Sequence, residues 1–117
     1  MKLKVYEYKN CGTCRKATKY LDAKDISYDR IAIRDQAPSL DELEMMLGYL
    51  DGQLKKLFNT SGVDYRAGNF KDKINDMTKE QAFAELSSNG NLVKRPFVLG
   101  DGTGIVGFKE DVWNKLF

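Results

Sequence analysis

The spacing of apolar and polar residues changes period several times along this chain, and each change marks an element. Residues 2–8 alternate with a period of two, which places Leu3 and Val5 on one buried side of a strand and Tyr8 at its end. From 13 to 23 the period lengthens. Cys14, Ala17, Thr18 and Leu21 recur at spacings of three, four and seven, the stripe of a helix face, and the pattern stops near Lys24-Asp25. Residues 26–33 are β-branched and aromatic enough to form a second strand. A strand, a helix and a strand of this length favour parallel pairing through a right-handed crossover.

The middle of the chain, about 38–90, reads as helical throughout. Ser39 followed by Glu42 is a capping box, and Leu40, Leu43, Leu47 and Leu50 continue it as one apolar face. Gly52 ends that helix, and Leu54, Leu57 and Phe58 suggest a second, short one. Asn59-Thr60-Ser61-Gly62 is a turn cluster, and 63–76 is polar with weak periodicity, so it reads as loop or short helix. Thr78 and Gln81 form a second capping box, opening a helix that carries Ala82, Phe83 and Leu86 and stops near Asn89-Gly90. Residues 93–99 are apolar around Lys94-Arg95-Pro96, and Ile105-Val106 follows a turn at 100–103, which predicts a hairpin. Glu110 and Asp111 suit the start of a final helix, with Val112 and Leu116 expected on its inner side. The pattern therefore gives an α/β domain spanning 1–117: a mixed sheet flanked by helices, with an all-helical insertion between the second strand and the C-terminal hairpin.

Composition narrows the function classes. With 117 residues, 42% hydrophobic and 31% charged, the chain can bury a core without staples. A net charge of +2 gives no strong pull toward nucleic acid, so direct nucleic-acid binding is not expected. No apolar run reaches the ~20 residues of a membrane span and no signal-like leader is present, so a cytoplasmic monomer away from membranes is expected. There is no histidine, so no Cys–His pair can activate a nucleophile.

The candidate chemistry lies in Lys9-Asn10-Cys11-Gly12-Thr13-Cys14-Arg15-Lys16, which holds the only two cysteines. A C-x-x-C between a strand and a helix near the start of an α/β pattern is the signature of a thioredoxin-like redox site. Cys11 falls where free backbone N–H groups and the helix dipole favour an anion, and Lys9, Arg15 and Lys16 add positive charge that favours its thiolate. Cys14, one turn further in, is placed to attack a mixed disulfide at Cys11. Three plainer readings compete. A zinc site lacks enough ligands, a structural disulfide over so short a loop stabilises little, and two inert core cysteines remain an ordinary possibility. Trp113, Phe108 and Tyr65 read as packing residues, and Lys71-Asp72-Lys73 as a solvated face.

Three segments carry a family resemblance: Cys11-Gly12-Thr13-Cys14-Arg15-Lys16-Ala17, Arg95-Pro96 before a strand, and Val106-Gly107-Phe108-Lys109-Glu110-Asp111 before the last helix. In this order they resemble the small thioredoxin-fold proteins that include glutaredoxin-linked arsenate reductases and Spx-type RNA polymerase regulators. The resemblance implies a thioredoxin-like sheet, Cys11 as nucleophile, and Pro96 as a cis-proline facing it. It also implies substrate or anion contacts from Arg15, Arg95, Gly12 and Thr13, with no metal and no bound cofactor.

By the same resemblance the reductant is thioredoxin or glutathione with glutaredoxin, and RNA polymerase is a further partner. Gly52 lies near the turn by which Spx-type regulators meet polymerase, although helix termination explains it more plainly. Departures from the reductase pattern also matter. Two of that family's oxyanion-binding arginines correspond to about Asn59 and Gly107, and its histidine four residues before the nucleophile corresponds to Glu7. Losing two guanidiniums removes bidentate contacts, which weakens the arsenate reading. A second cysteine at Cys14 suits disulfide chemistry or a redox switch. The expectation is a thiol–disulfide oxidoreductase, with arsenate reduction and redox-sensing polymerase binding as alternatives.

Overall fold

A computed structural model describes residues 2–117. Strand β1 (Leu3–Glu7) leads into helix α1 (Gly12–Ala23), and β2 (Tyr28–Ala32) then pairs parallel to β1. Strands β3 (Phe97–Gly100) and β4 (Thr103–Val106) form the expected hairpin, and β3 lies antiparallel on the other side of β1. The sheet order is β2-β1-β3-β4, a mixed α/β sheet as expected. Strands β2 and β3 are shorter than the runs 26–33 and 93–99 that predicted them. Val93 instead makes an isolated bridge to Phe58, ahead of the cis Arg95–Pro96 bond.

Alternation divides the core into two layers. Leu3, Val5 and Val98 face Ala17 and Leu21 of α1 and Trp113 of the last helix, α6 (Glu110–Leu116). Tyr6, Phe97 and Leu99 face the helical insertion. That insertion contains α2 (Leu40–Tyr49), α3 (Val63–Ala67), α4 (Phe70–Lys73) and α5 (Lys79–Ser88), with single 3-10 turns at Leu54–Leu57, Ile74–Asp76 and Gly90–Leu92. Both capping boxes form: the Ser39 and Thr78 hydroxyls accept from Glu42 and Gln81 N–H, whose side chains accept from the cap N–H groups in return. The Gly52 N–H closes α2 on the Leu47 carbonyl at 2.9 Å, which agrees with helix termination there.

Two expectations need correction. Leu40 is 56% exposed, because it is the first residue after the cap; Leu43, Met46 and Leu47 form the buried stripe instead. Val112 and Leu116 are 38% and 44% exposed, and Trp113 turns inward in their place. The indole buries far more apolar area than valine, and its Nε1–H donates to the Gly107 carbonyl at 3.1 Å, so the helix is rotated by one position. Residues 63–76, read from the sequence as loop or short helix, are largely short helix. They are too short to show a period, and Tyr65 and Phe70 anchor them by stacking on each other and packing edge-on and tilted, respectively, against Phe58.

Candidate active site

The end of β1 passes into α1 through a turn in which the Cys11 N–H donates to the Tyr8 carbonyl at 2.9 Å. Cys11 is the cap residue of the helix, with extended backbone angles, and its sulfur accepts the Cys14 N–H at 3.3 Å. This is the anion-favouring position expected from the sequence, and Gly12 rather than Thr13 is the first helical residue. Cys11 is partly exposed, whereas Cys14 is fully buried against the sheet, and both are free thiols. Burial pushes the Cys14 thiol up to about 12; the hydrogen bond with Cys11 adds to this and a Tyr8 backbone contact opposes it. At neutral pH Cys14 is therefore a protonated thiol.

The remaining expected residues fall in different settings. Gly12 and Thr13 are exposed on the first turn. Arg15 folds back so that Nη1 donates to the Lys9 carbonyl at 3.2 Å, beside the thiol loop. Arg95 lies over the Tyr8 ring, its guanidinium carbon 5.1 Å from the ring centroid. Pro96 is buried after the cis bond, and its carbonyl accepts the Gly107 N–H at 2.9 Å. Gly107 has φ +73°, which other residues rarely adopt, so a side chain there is strained. Glu7 is nearly buried, and its nearest cation is Arg30 at 3.7 Å.

Sequence reasoning missed a second arginine at the Tyr8 ring. Arg34, in the turn after β2, sits 4.7 Å from the same Tyr8 ring. The two guanidiniums and the Asn10 amide, which donates to the Tyr8 hydroxyl at 3.0 Å, hold the phenol below its usual pKa, the Asn10 bond contributing most. Arg34 and Arg95 line a cleft of about 190 Å³ together with Asn59, Gly62, Val63, Asp64 and Asn91. Two backbone contacts assemble it. Asn59 N–H donates to the Leu92 carbonyl at 2.7 Å and Lys94 N–H to the Leu57 carbonyl at 2.8 Å, drawing Asn59 beside Asn91. Gly90 approaches Ile33 so closely that a Cβ would overlap the Ile33 carbonyl, and this brings Arg34 to the same place. No local spacing signals such an arrangement. The one available sign was an arginine in a turn, which ordinarily means a solvated side chain.

The geometry has a match among known proteins. The model of the ArsC family matches residues 6–116. This chain belongs to the ArsC family. It is 42% identical over 115 residues to the uncharacterized protein YusI of Bacillus subtilis, covering 98% of each chain. A crystal structure of a putative ArsC family related protein from Bacteroides fragilis is 40% identical and superposes with a TM-score of 0.93, covering 100% of this chain and 98% of that one. The global transcriptional regulator Spx of Listeria innocua is 26% identical over 107 residues, covering 92% of this chain and 80% of the regulator. The thioredoxin-like fold of the ArsC family and the adjacent cysteine pair are thus both present, as the sequence led one to expect. Among the described residues no helix is long and apolar enough to cross a membrane.

Proposed function

We propose that this chain is a cytoplasmic thiol–disulfide oxidoreductase in which Cys11 is the nucleophile and Cys14 the resolving thiol. The observation that carries this reading is the inequality of the pair. One sulfur is partly exposed at a helix start with a backbone N–H on it, and the other is buried one turn below. Cys11 thiolate attacks an oxidised sulfur and forms a mixed disulfide, releasing a thiolate. Cys14 then attacks Cys11, the second arm leaves with the Cys14 proton, and a Cys11–Cys14 disulfide remains. Thioredoxin, or glutathione with glutaredoxin, returns the pair to two thiols, and no bound cofactor takes part. Gly12 and Thr13 supply free amides at the helix start, while Arg15 and Arg95 supply positive charge and Pro96 borders the site.

Membership of the ArsC family and similarity to Spx keep two further readings in play: glutaredoxin-coupled arsenate reduction and redox-sensing binding to RNA polymerase. The arsenate reading ranks behind, because Asp64 shares the arginine cleft and repels a bare oxyanion.

The test uses Cys14→Ser and Cys11→Ser with a small disulfide, followed by intact-mass spectrometry. Cys14→Ser should accumulate the mixed disulfide at Cys11, Cys11→Ser should accumulate none on this timescale, and the parent should proceed to the internal disulfide. Resolution by Cys14→Ser at the parental rate would remove Cys14 from its role. Polymerase capture by one redox state alone would favour the regulator, and steady turnover of arsenate at micromolar concentration would favour the reductase.

A further inference from the structure

The two edges of the sheet are built differently. Strand β2 carries Asp29 and Arg30 on its edge, and Lys2 pairs with Asp29 at 3.0 Å, a charged rim of the kind that discourages added strands. Strand β4, Thr103-Gly104-Ile105-Val106, forms the opposite edge and carries neither charge nor proline. Its pairing with β3 fixes which backbone groups are free. Gly107 N–H donates to the Pro96 carbonyl at 2.9 Å, and bonded positions alternate along an antiparallel ladder. Thr103 and Ile105 therefore bond inward to β3, while the N–H and C=O of Gly104 and Val106 point away from it. Among the described residues no other backbone group bonds to these two.

Charge lies at the ends of this edge instead. Asp101 is in the turn before β4, and Lys109 is the cap residue of α6 beyond it. Both are exposed, and among the described residues neither pairs with an opposite charge within 4.0 Å. Lys94 adds to the basic end, its Cε lying against Gly107. Glu110 and Asp111 follow Lys109 and are matched to the positive end of α6. Positions 101 and 109 are equidistant from Ile105, so an antiparallel copy centred on Ile105 brings each acid to a lysine. The same centring sets Gly104 opposite Val106, the two outward-facing positions. An apolar shelf lies over this pair. The Tyr49 ring occupies the space that a Gly104 side chain would need, and it is 42% exposed, with Met45 exposed one turn before it.

We propose that β4 is a self-association edge, joining two copies of this chain antiparallel about Ile105, in place of the monomer expected from the sequence. Gly104 of each copy is paired with Val106 of the other by reciprocal backbone hydrogen bonds. Asp101 meets Lys109 at both ends, and Tyr49 and Met45 cover the arriving valine. So small a contact makes the dimer transient and dependent on concentration. Strands β1 and β4 are both antiparallel to β3, so the Lys109 end of β4 lies at the Cys11 end of the sheet. An antiparallel partner carries its own dithiol to the far end, and both thiol sites stay open. The assignment is independent of the chemistry at the cysteines.

Sedimentation velocity of the reduced full chain, from micromolar to millimolar concentration, should show a monomer–dimer equilibrium that weakens with added salt. Asp101→Lys and Lys109→Asp each set like charges together at both ends, and each should raise the dissociation constant about tenfold or more. The combined variant restores opposite charges and should return to within about threefold of the parent. Hydrogen exchange on the parent gives an independent reading. Raising its concentration should slow the Gly104 and Val106 amides several-fold and leave Thr103 and Ile105, already bonded to β3, unchanged. A parent that stays monomeric at millimolar concentration overturns the proposal and leaves the edge to a strand of another protein. A dimer that ignores both charge reversals, or that forms without selective protection of Gly104 and Val106, is held by another face and overturns it as well.

Discussion

The dithiol is built from chain between Tyr8 and Arg15, whereas the cleft beside it draws on Arg34, Asn59, Asp64, Asn91 and Arg95 from separate turns. Local backbone geometry sets the first site: a turn, a cap and one helical turn give each sulfur its environment. Tertiary approach sets the second, through two backbone pairings and one position that admits no side chain. The two sites therefore have separate dependences. Perturbing burial under α1 changes the thiols, and perturbing the docking of the insertion changes the cleft.

The largest expected effect sharpens the local side. The Cys14 thiol is pushed to about 12 in the folded chain, against about 9 when unfolded. Between those values the native state holds a proton that the unfolded state has lost. The stabilising contribution is therefore complete below pH 9 and disappears as pH rises toward 12. Its bound is about 1.4 kcal/mol for each unit, or on the order of 4 kcal/mol across the window. Urea unfolding under reducing conditions from pH 7.5 to 10.5 should show the parent losing stability faster than Cys14→Ala. Parallel curves for the two proteins would mean that Cys14 titrates in the folded state much as it does when unfolded.

What the sequence revealed follows the same division. The C-x-x-C, both capping boxes and the hairpin depend on neighbours a few residues away, so their signals survive in one dimension. The inner face of α6 did not survive, because Val112/Leu116 and Trp113/Phe117 have the same helical spacing. Only the indole's bond to Gly107 decides between them. Arg34 was unreadable for a stronger reason: its neighbours in sequence say nothing about Arg95 or Asn91. Tyr8 was noticed as a strand end, but its role as the ring that two guanidiniums share depends on both distant partners.

Gly90→Ala should break the nonlocal side. A Cβ there overlaps the Ile33 carbonyl, so backbone has to move, at a cost of about 3 kcal/mol. The predicted signature is selective. Denaturant stability falls and Arg34 leaves Asn91, while alkylation of Cys11 by iodoacetamide stays within about twofold of the parent, because the thiol turn is set by local backbone bonds between Tyr8 and Arg15. Equal loss of Cys11 reactivity would show that the two sites are coupled through Tyr8 and that the division drawn above is too sharp.

The smallest effect tests how the insertion is held to the sheet. Glu42 belongs to the α2 capping box, yet its carboxylate also accepts from Lys4 Nζ at 2.7 Å and from the Tyr6 hydroxyl at 2.6 Å, both on β1. Burial raises this carboxyl's pKa, but the bonds from Lys4, the Ser39 N–H and Tyr6 together outweigh burial and hold it below the usual range. Glu42→Gln retains an acceptor for the cap and removes the charge. Lys4 is 43% exposed on its side chain, so much of the ion pair is screened, and the expected loss is about 1.5 kcal/mol at pH 7. The sign with pH is fixed by the depressed value: this stabilisation is present above the unfolded carboxyl's pKa and is lost as pH falls through the folded one. The difference between parent and Glu42→Gln should therefore shrink toward zero in acid. If the insertion docks through this clasp, Glu42→Gln also speeds hydrogen exchange at Asn59 and Asn91 more than at Cys14. Equal acceleration at all three amides would mean that the clasp stabilises the whole sheet, and that the cleft depends on the same cooperative unit as the thiols.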